Sequence, residues 1–409
     1  MITEKEKLRQ IISLGSELSA FKDLDLLLEK ILTLARKFTN AESGSIYIRE
    51  ENLLKFSYTQ NDLLQQKLPP GKKLIYSTFT IPINCSSISG AVACTGKALN
   101  IPDAYRIPSN AGYAFDTGYD KLSGYRTRSM MTLPLTSSRK GVIGVLQLIN
   151  ARNASGRIVP FSKKNDLFIE HFANTAATAI ERAQLTRAII MRASKMAELR
   201  DPKETGSHVN RVSSYAVELY EAWANRRNMS QDEIDKNKDS LRMGAILHDV
   251  GKVAISDTIL KKPARLDPDE YEVMKSHTIL GARLFADQFS EFDEAASIIA
   301  LNHHERWDGN GYPGHINPMT GNAVPGYEGP GGKARGKKGE EIPPFGRIVA
   351  VADVYDALCS RRAYKEPWDE GRVFEELRSE AGKQFDPEMV EVFFSISDVI
   401  KNISQRFPD

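Results

Sequence analysis

Five of the seven histidines in this 409-residue chain fall between His208 and His304, and each stands beside another metal-type ligand or shares a helical face with one. The densest run, Asn302 to Gly314, reads NHHERWDGNGYPG and packs two imidazoles and two carboxylates into thirteen positions. Glu204 and His208 are four apart, so on a helix both side chains point the same way and can share an ion. In LRMGAILHDVGK an apolar helix runs into His248 and Asp249 and ends at Gly251. Burying an imidazole and a carboxylate without partners costs kilocalories, and a bound cation removes that cost. The same reasoning covers His303 and His304 after the apolar ASIIALN, and Asp353 and Asp356 on the apolar stretch GRIVAVADVYDALCS. His277 is expected mid-helix in EYEVMKSHTILGARLF, where a lone histidine would be a satisfied core residue. Together Glu204, His208, His248, Asp249, His277, His303, His304 and Asp353 offer eight nitrogen and oxygen ligands, twice what one zinc site normally uses, so two or three divalent ions are expected. Imidazole mixed with carboxylate, and no thiolate, suits iron first and manganese next, with zinc and others compatible. Adjacent ions of this kind make hydroxide from water and hold the attacking and leaving oxygens of a phosphoryl displacement.

HDVGK, HHERWDGNGYP and VADVYDAL with SRRAYK, in that order, closely resemble the HD-GYP phosphodiesterases, a branch of the HD metal-dependent phosphohydrolases, over Arg192 to Phe394. The resemblance implies hydrolysis of cyclic di-GMP to linear pGpG, and in some members onward to GMP. It implies that His208, His248, Asp249 and Asp353 are the HD ligands, with Asp249 the bridging carboxylate, and that Glu204, His277, His303 and His304 are additional ligands, Glu204 serving a third metal. Asp249 and Lys252 are the implied catalytic pair; Lys252, Tyr312, Asp356, Arg362 and Lys365 form the substrate-binding set, cations being required to neutralise anionic phosphate oxygens. In the GYP turn, Gly309 and Gly311 let the chain bend sharply and Pro313 fixes its exit. Tyr312 is expected to touch substrate or a signalling protein docked at that turn, with plain packing as the alternative; Arg306 and Asp308 are expected to contact substrate or a partner, or to hold the histidines. Rival readings of the same residues are a silent cyclic di-GMP receptor, a hydrolase of the related cyclic GMP-AMP, and an oxygen-activating di-iron enzyme. Lys252, Arg362 and Lys365 argue against the last by favouring a phosphate substrate.

The elements that must position these residues divide the chain into two domains, as its length predicts. After an N-terminal helix over 1–23, residues 24–183 read as an α+β domain: apolar helical spacing from Asp23 to Phe38, a turn at AESG, then strands SIYIRE, LLKFSYT, SMMTLPLTS and GVIGVLQLINA, the last two a hairpin meeting at SRKG. This arrangement resembles a GAF domain, an antiparallel sheet with helices that would sense an unknown small molecule. Only a partial echo of the cyclic-nucleotide-binding pattern is present, in Asn150, Arg152, Phe161, Asn165 and Asp166, so a hairpin end and a helix cap are the preferred reading there. A connecting helix over 165–199 places Ile169, Phe172, Ala176, Ala179, Ala183, Thr186, Ile190, Ala193 and Ala197 on a heptad seam, expected to form a homodimer, with packing within the chain as the alternative. Residues 200–409 read as an all-α domain of seven or more helices, with N-terminal caps at Ser230, Asp267 and Asp386. The Gly/Lys-rich segment 315–341 interrupts it as a flexible insertion, whose Lys333, Arg335, Lys337 and Lys338 are either a basic flap over phosphates or without a role; its GxxxxGK at Gly331–Lys337 lacks the Ser or Thr of a P-loop. Cys85, Cys94 and Cys359 are scattered and are expected to be buried thiols. A net charge of +2 gives no general affinity for nucleic-acid polymers, and the lack of a long apolar run predicts a cytoplasmic protein without a membrane span.

Overall fold

A computed structural model of the chain describes residues 15–68, 79–137, 139–163, 166–200, 206–287, 290–360 and 367–408. It divides into two compact units, Met1–Arg187 and Ala188–Asp409. No described helix is long and apolar enough to cross a membrane. Of the residues singled out above, Asn165, Glu204, Arg362 and Lys365 lie outside the described residues, as do the first fourteen.

In the first unit a short helical segment over 15–20 precedes α1 (Leu24–Thr39), whose N-terminus is capped by the Asp23 carboxylate accepting from the amides of Asp25 and Leu26. Its apolar stripe buries Leu27, Ile31 and Ala35, and Asn40 ends it in the left-handed region at φ 53°. That single reversal suffices: Ala41 to Gly44, expected as a turn, already belongs to the first strand. The strands are β1 (Ala41–Glu50), β2 (Leu53–Asn61), β3 (Thr80–Pro82), β4 (Leu99–Ile101), β5 (Met130–Ser137), β6 (Gly141–Arg152) and β7 (Ile158–Val159). They form an antiparallel sheet in the order β3-β2-β1-β6-β5-β4, with β7 beside β6, and β5–β6 is the expected hairpin. The helix α2 (Ile88–Thr95) packs on β5 and β6. A cavity of about 180 Å³ opens in this unit, lined by Tyr47, Phe56, Phe79, Ser87, Ser89 and Tyr119 among others. Asn150 and Arg152 are structural: buried Asn150, at φ 57°, accepts from the Arg128 amide and donates to Tyr125 and Arg126, while Arg152 pairs with Glu42. The cysteine expectation is corrected for two of three, since Cys85 and Cys94 are exposed and only Cys359 is half-buried.

The long helix α3 (Asp166–Glu198) corrects the expected seam. Ile169, Phe172, Ala176, Ala179 and Ala183 are already buried, so small residues there mark intramolecular packing. The large apolar residues left exposed are Leu185, Ile189 and Met196, with Leu199 just beyond the helix.

The second unit is helical: α4 (Gly206–Arg226), α5 (Gln231–Ile246), α6 (Pro268–Lys275), α7 (His277–Arg283), α8 (Glu291–Asn302), α9 (Pro344–Cys359), α10 (Glu370–Ser379), α11 (Pro387–Ser395) and α12 (Ser397–Arg406). Ser230 caps α5, Asp267 and Glu270 close a reciprocal capping box on α6 with Pro268 in its first turn, and Asp386 caps α11. α4 packs on α5, α9, α11 and α12, and α8 on α5, α7 and α9. The core they enclose holds Tyr215, Leu219, Tyr220, Ile299, Ile348, Val351 and Phe393, and full burial of each large apolar side chain contributes about 1.5–3 kcal/mol. His277 is not mid-helix, because the chain breaks at Ser276 and His277 opens α7.

Candidate metal centre

This helical frame brings distant ligands to one place. His208 lies in the first turn of α4, His248 and Asp249 follow α5, His303 caps the C-terminus of α8 with His304 next, and Asp353 is on α9. They form two groups whose ligand atoms all lie within 4.8 Å of one another: Asp249, His277, His303 and His304 in one, His208, His248 and Asp353 in the other. Asp249 addresses both. Its Oδ1 is 3.2 Å from His277 Nε2 and 3.5 Å from His303 Nε2, while its Oδ2 is 3.4 Å from His248 Nε2 and 2.7 Å from Lys252 Nζ.

The histidine tautomers follow from their outer partners. Nδ1 of His248 lies 2.8 Å from the Ala245 carbonyl, Nδ1 of His277 2.8 Å from Met274, and Nδ1 of His303 3.1 Å from both Ile299 and Ala300. A carbonyl only accepts, so each Nδ1 donates its proton and each Nε2 presents a lone pair to the centre. His208 does the same against a carboxylate, with its Nδ1 2.8 Å from Asp356 Oδ2. Burial pushes His303 below the ordinary imidazole range, and burial together with His303 and His277 pushes His304 well below it, so both rings are neutral. Burial alone would raise the Asp249 carboxyl, but Lys252 and His248 outweigh it and hold the group well below its usual range, as a carboxylate. Among the described residues Asp249 Oδ1, His277 Nε2 and His303 Nε2 are buried without a hydrogen-bond partner, a cost of about 1–3 kcal/mol for each such group. Neutral imidazole lone pairs and a carboxylate around one point are the donor set a divalent cation takes, so these residues fit a metal.

Asp356, expected to bind substrate, is corrected to a positioning residue. It is 1% exposed, and both its oxygens are engaged by His208 and Arg211, the latter at 2.6 and 3.0 Å. Burial raises its carboxyl, yet His208 and Arg211 together hold it below the usual range. Arg211 was not singled out in the sequence, although its place three residues after His208 on one helical face was a legible signal. Arg306 and Asp308 do not hold the histidines either: Arg306 bridges Asp308 and Glu380, and the Asp308 amide bonds the Lys383 carbonyl, tying the run to the loop before α11. The Tyr312 ring lies tilted against His304 with ring centroids 4.9 Å apart and 6.4 Å from His277, which places it at the centre's edge.

Glu305 is the second residue that sequence reasoning passed over. It is buried, and its oxygens accept from the amides of Gly314 at 2.5 Å and Lys337 at 3.2 Å; Lys337 Nζ reaches Asn302 Oδ1. The segment 315–341 is therefore corrected from a flexible insertion to an ordered one. His315 stacks on Tyr327 at 3.8 Å, bridges join Ile316 to Ala323 and Glu328 to Ala334, and Lys333 and Arg335 pair with Glu272 and Glu341.

Residues 23–180 match the GAF domain family and residues 205–358 the HD domain family. This chain joins a GAF domain to an HD domain. Both groups described above fall within the residues of the HD match. A Thermotoga maritima protein named a cyclic di-GMP phosphodiesterase is 38% identical over 52% of this chain and 50% of its own length. A Vibrio cholerae 3'3'-cGAMP-specific phosphodiesterase is 34% identical over 56% of this chain and 38% of its own, and a Xanthomonas campestris cyclic di-GMP phosphodiesterase response regulator 33% identical over 60% and 56%. The chain thus spans about half or less of the length of these curated relatives. Among solved structures, a GAF domain/HD domain protein from Geobacter sulfurreducens is similar at 18% identity and a TM-score of 0.31, covering 41% of this chain and 98% of that one. The GAF domain of an Acinetobacter phosphoenolpyruvate-protein phosphotransferase is similar at 15% identity and a TM-score of 0.33, over 46% and 99%.

Proposed function

We propose that this chain is a metal-dependent cyclic dinucleotide phosphodiesterase that opens cyclic di-GMP to linear pGpG under control of its GAF domain. The observation that carries this reading is Asp249, whose two oxygens face two separate ligand groups with Lys252 at 2.7 Å. Asp249, His277, His303 and His304 would hold one divalent ion and His208, His248 and Asp353 a second, with Asp249 shared; Glu204 is the proposed ligand of a third. Such a pair of ions, iron first and manganese next, supplies Lewis acidity and an activated water for attack at phosphorus. The protein's own part is positional and electrostatic. The outer carbonyls and Asp356 fix each imidazole, Lys252 brings a cation to the phosphate side, and Tyr312 bounds the space above His304. Arg362 and Lys365 are the proposed further phosphate contacts.

The relatives named for cyclic di-GMP and for 3'3'-cGAMP support a cyclic dinucleotide substrate and leave both molecules to be assayed. Incubating anaerobically purified protein with each dinucleotide, with elemental analysis of the same sample, tests the proposal. Linear products and two or more ions per chain are expected, with Asp249→Ala losing cleavage by at least about 100-fold. Tight dinucleotide binding without cleavage by fully metallated protein would instead establish a receptor. For the sensor half we propose a small molecule in the cavity lined by Tyr47, Phe56 and Phe79, and for the assembly a cytoplasmic homodimer through the stripe Leu185, Ile189, Met196 and Leu199.

A further inference from the structure

The GAF domain carries a pair of thiols with no part in the hydrolytic centre. Cys85 lies in the turn after β3, and Cys94 lies in the last turn of α2. Both are exposed, and their Sγ atoms stand 3.6 Å apart, the Cys85 thiol donating to the Cys94 sulfur. A disulfide requires about 2.05 Å, so the sulfurs need to close by only about 1.5 Å, a movement that side-chain rotation and a turn residue supply. The nine-residue separation leaves room for an unstrained loop between them. Two exposed thiols already in contact, in a chain with three cysteines in all, are placed to react with each other before either meets another partner.

We propose that Cys85 and Cys94 form a reversible oxidation site, converted by hydrogen peroxide to a disulfide within the GAF domain. One sulfur, as thiolate, attacks the peroxide; the O–O bond breaks, a hydroxyl stays on sulfur as the sulfenic acid, and the other oxygen leaves as water after protonation. The second sulfur then attacks the sulfenic sulfur, the S–O bond breaks and a second water leaves, so the two thiols lose two electrons and the peroxide gains them. The bond would span the segment that supplies Ser87, Ile88 and Ser89 to the cavity wall, including the Ser87 hydroxyl that caps α2 by accepting from the Gly90 amide. Oxidation would therefore stiffen one wall of the ligand cavity.

The test treats the reduced full-length chain with hydrogen peroxide, alkylates it under denaturing conditions and counts free thiols by mass spectrometry. Three alkylated cysteines are expected to fall to one, Cys359, with a Cys85–Cys94 linked peptide and full recovery in dithiothreitol. Cys359→Ser should form the same link, whereas Cys85→Ser and Cys94→Ser should form no intramolecular disulfide. Retention of all three thiols in the wild type, stable sulfinic acid at one cysteine with its partner still free, or disulfides only between chains would each overturn the assignment. Amide exchange across residues 86–93 should slow on oxidation and return on reduction; unchanged exchange in the demonstrably linked protein would overturn the effect on the cavity wall.

Discussion

At the scale of single residues, the centre depends on groups that never touch the reacting atoms. Asp356 keeps the His208 ring in one tautomer while neutralising buried Arg211, which also reaches the Phe407 carbonyl and Ser360. Asp356→Asn should therefore act twice. It leaves Arg211 buried without its counter-charge, which costs about 3–5 kcal/mol of stability, readable as a shifted denaturant midpoint. It also frees the His208 ring, so metal affinity should fall by about 10–100-fold in equilibrium dialysis. A variant that unfolds earlier yet binds metal as tightly as the wild type would restrict Asp356 to a purely structural role. Asp356 and Asp353 share one apolar helix and were equally conspicuous in the sequence; what separates them is that Asp356 meets Arg211 and the Nδ1 side of His208, while Asp353 faces its Nε2 side.

At the scale of elements, the centre is assembled where helices end. His248, Asp249, His277, His303 and His304 all sit at helix termini, and for His248, His277 and His303 a carbonyl of the last turn accepts the Nδ1 proton on its second lone pair, beside a backbone N–H. α7 must approach the turn after α5 closely for this, and Gly251 is the reason it can: a Cβ at that position would overlap the His277 carbonyl oxygen and press on the Gly281 backbone. Gly251→Ala should displace His277 from Asp249. The expected result is folded protein by circular dichroism with at least about 10-fold less cleavage and a lowered metal content. Wild-type metal content in this variant would show that the contact is not needed to place His277. Gly311 is used the same way, lying against the Glu305 and Arg306 backbone, whereas Gly309 is used for its positive φ of 86°.

For the whole molecule, the two units are stabilised on different physical terms. The second unit contains ligand atoms that are costly to bury alone, so bound metal should stabilise that unit by mass action. A metal concentration 100 times its dissociation constant contributes about 2.7 kcal/mol. Calorimetry of the full chain before and after chelation should accordingly show one transition moving down while the transition of the GAF domain stays in place. A scan that chelation leaves unchanged would mean that the imidazole and carboxylate groups are satisfied without an ion.

The linear chain by itself singled out the histidines and aspartates that converge in the second unit, because five clustered histidines, three Asp or Ser helix caps and alternating strands are local patterns whose period and spacing survive without a fold. It also determined the order of strands and helices well enough to separate the α+β half from the all-α half. Only the tertiary structure decided that Asp249 faces two ligand groups, that Asp356 serves His208 and Arg211, that 315–341 is pinned by Glu305, and that Cys85 meets Cys94. It also decided which stripe of α3 stays exposed. The physical reason is common to all of these: each depends on which side chain meets which across packed elements, and that pairing is set by burial and close approach between residues that the spacing of either segment does not encode.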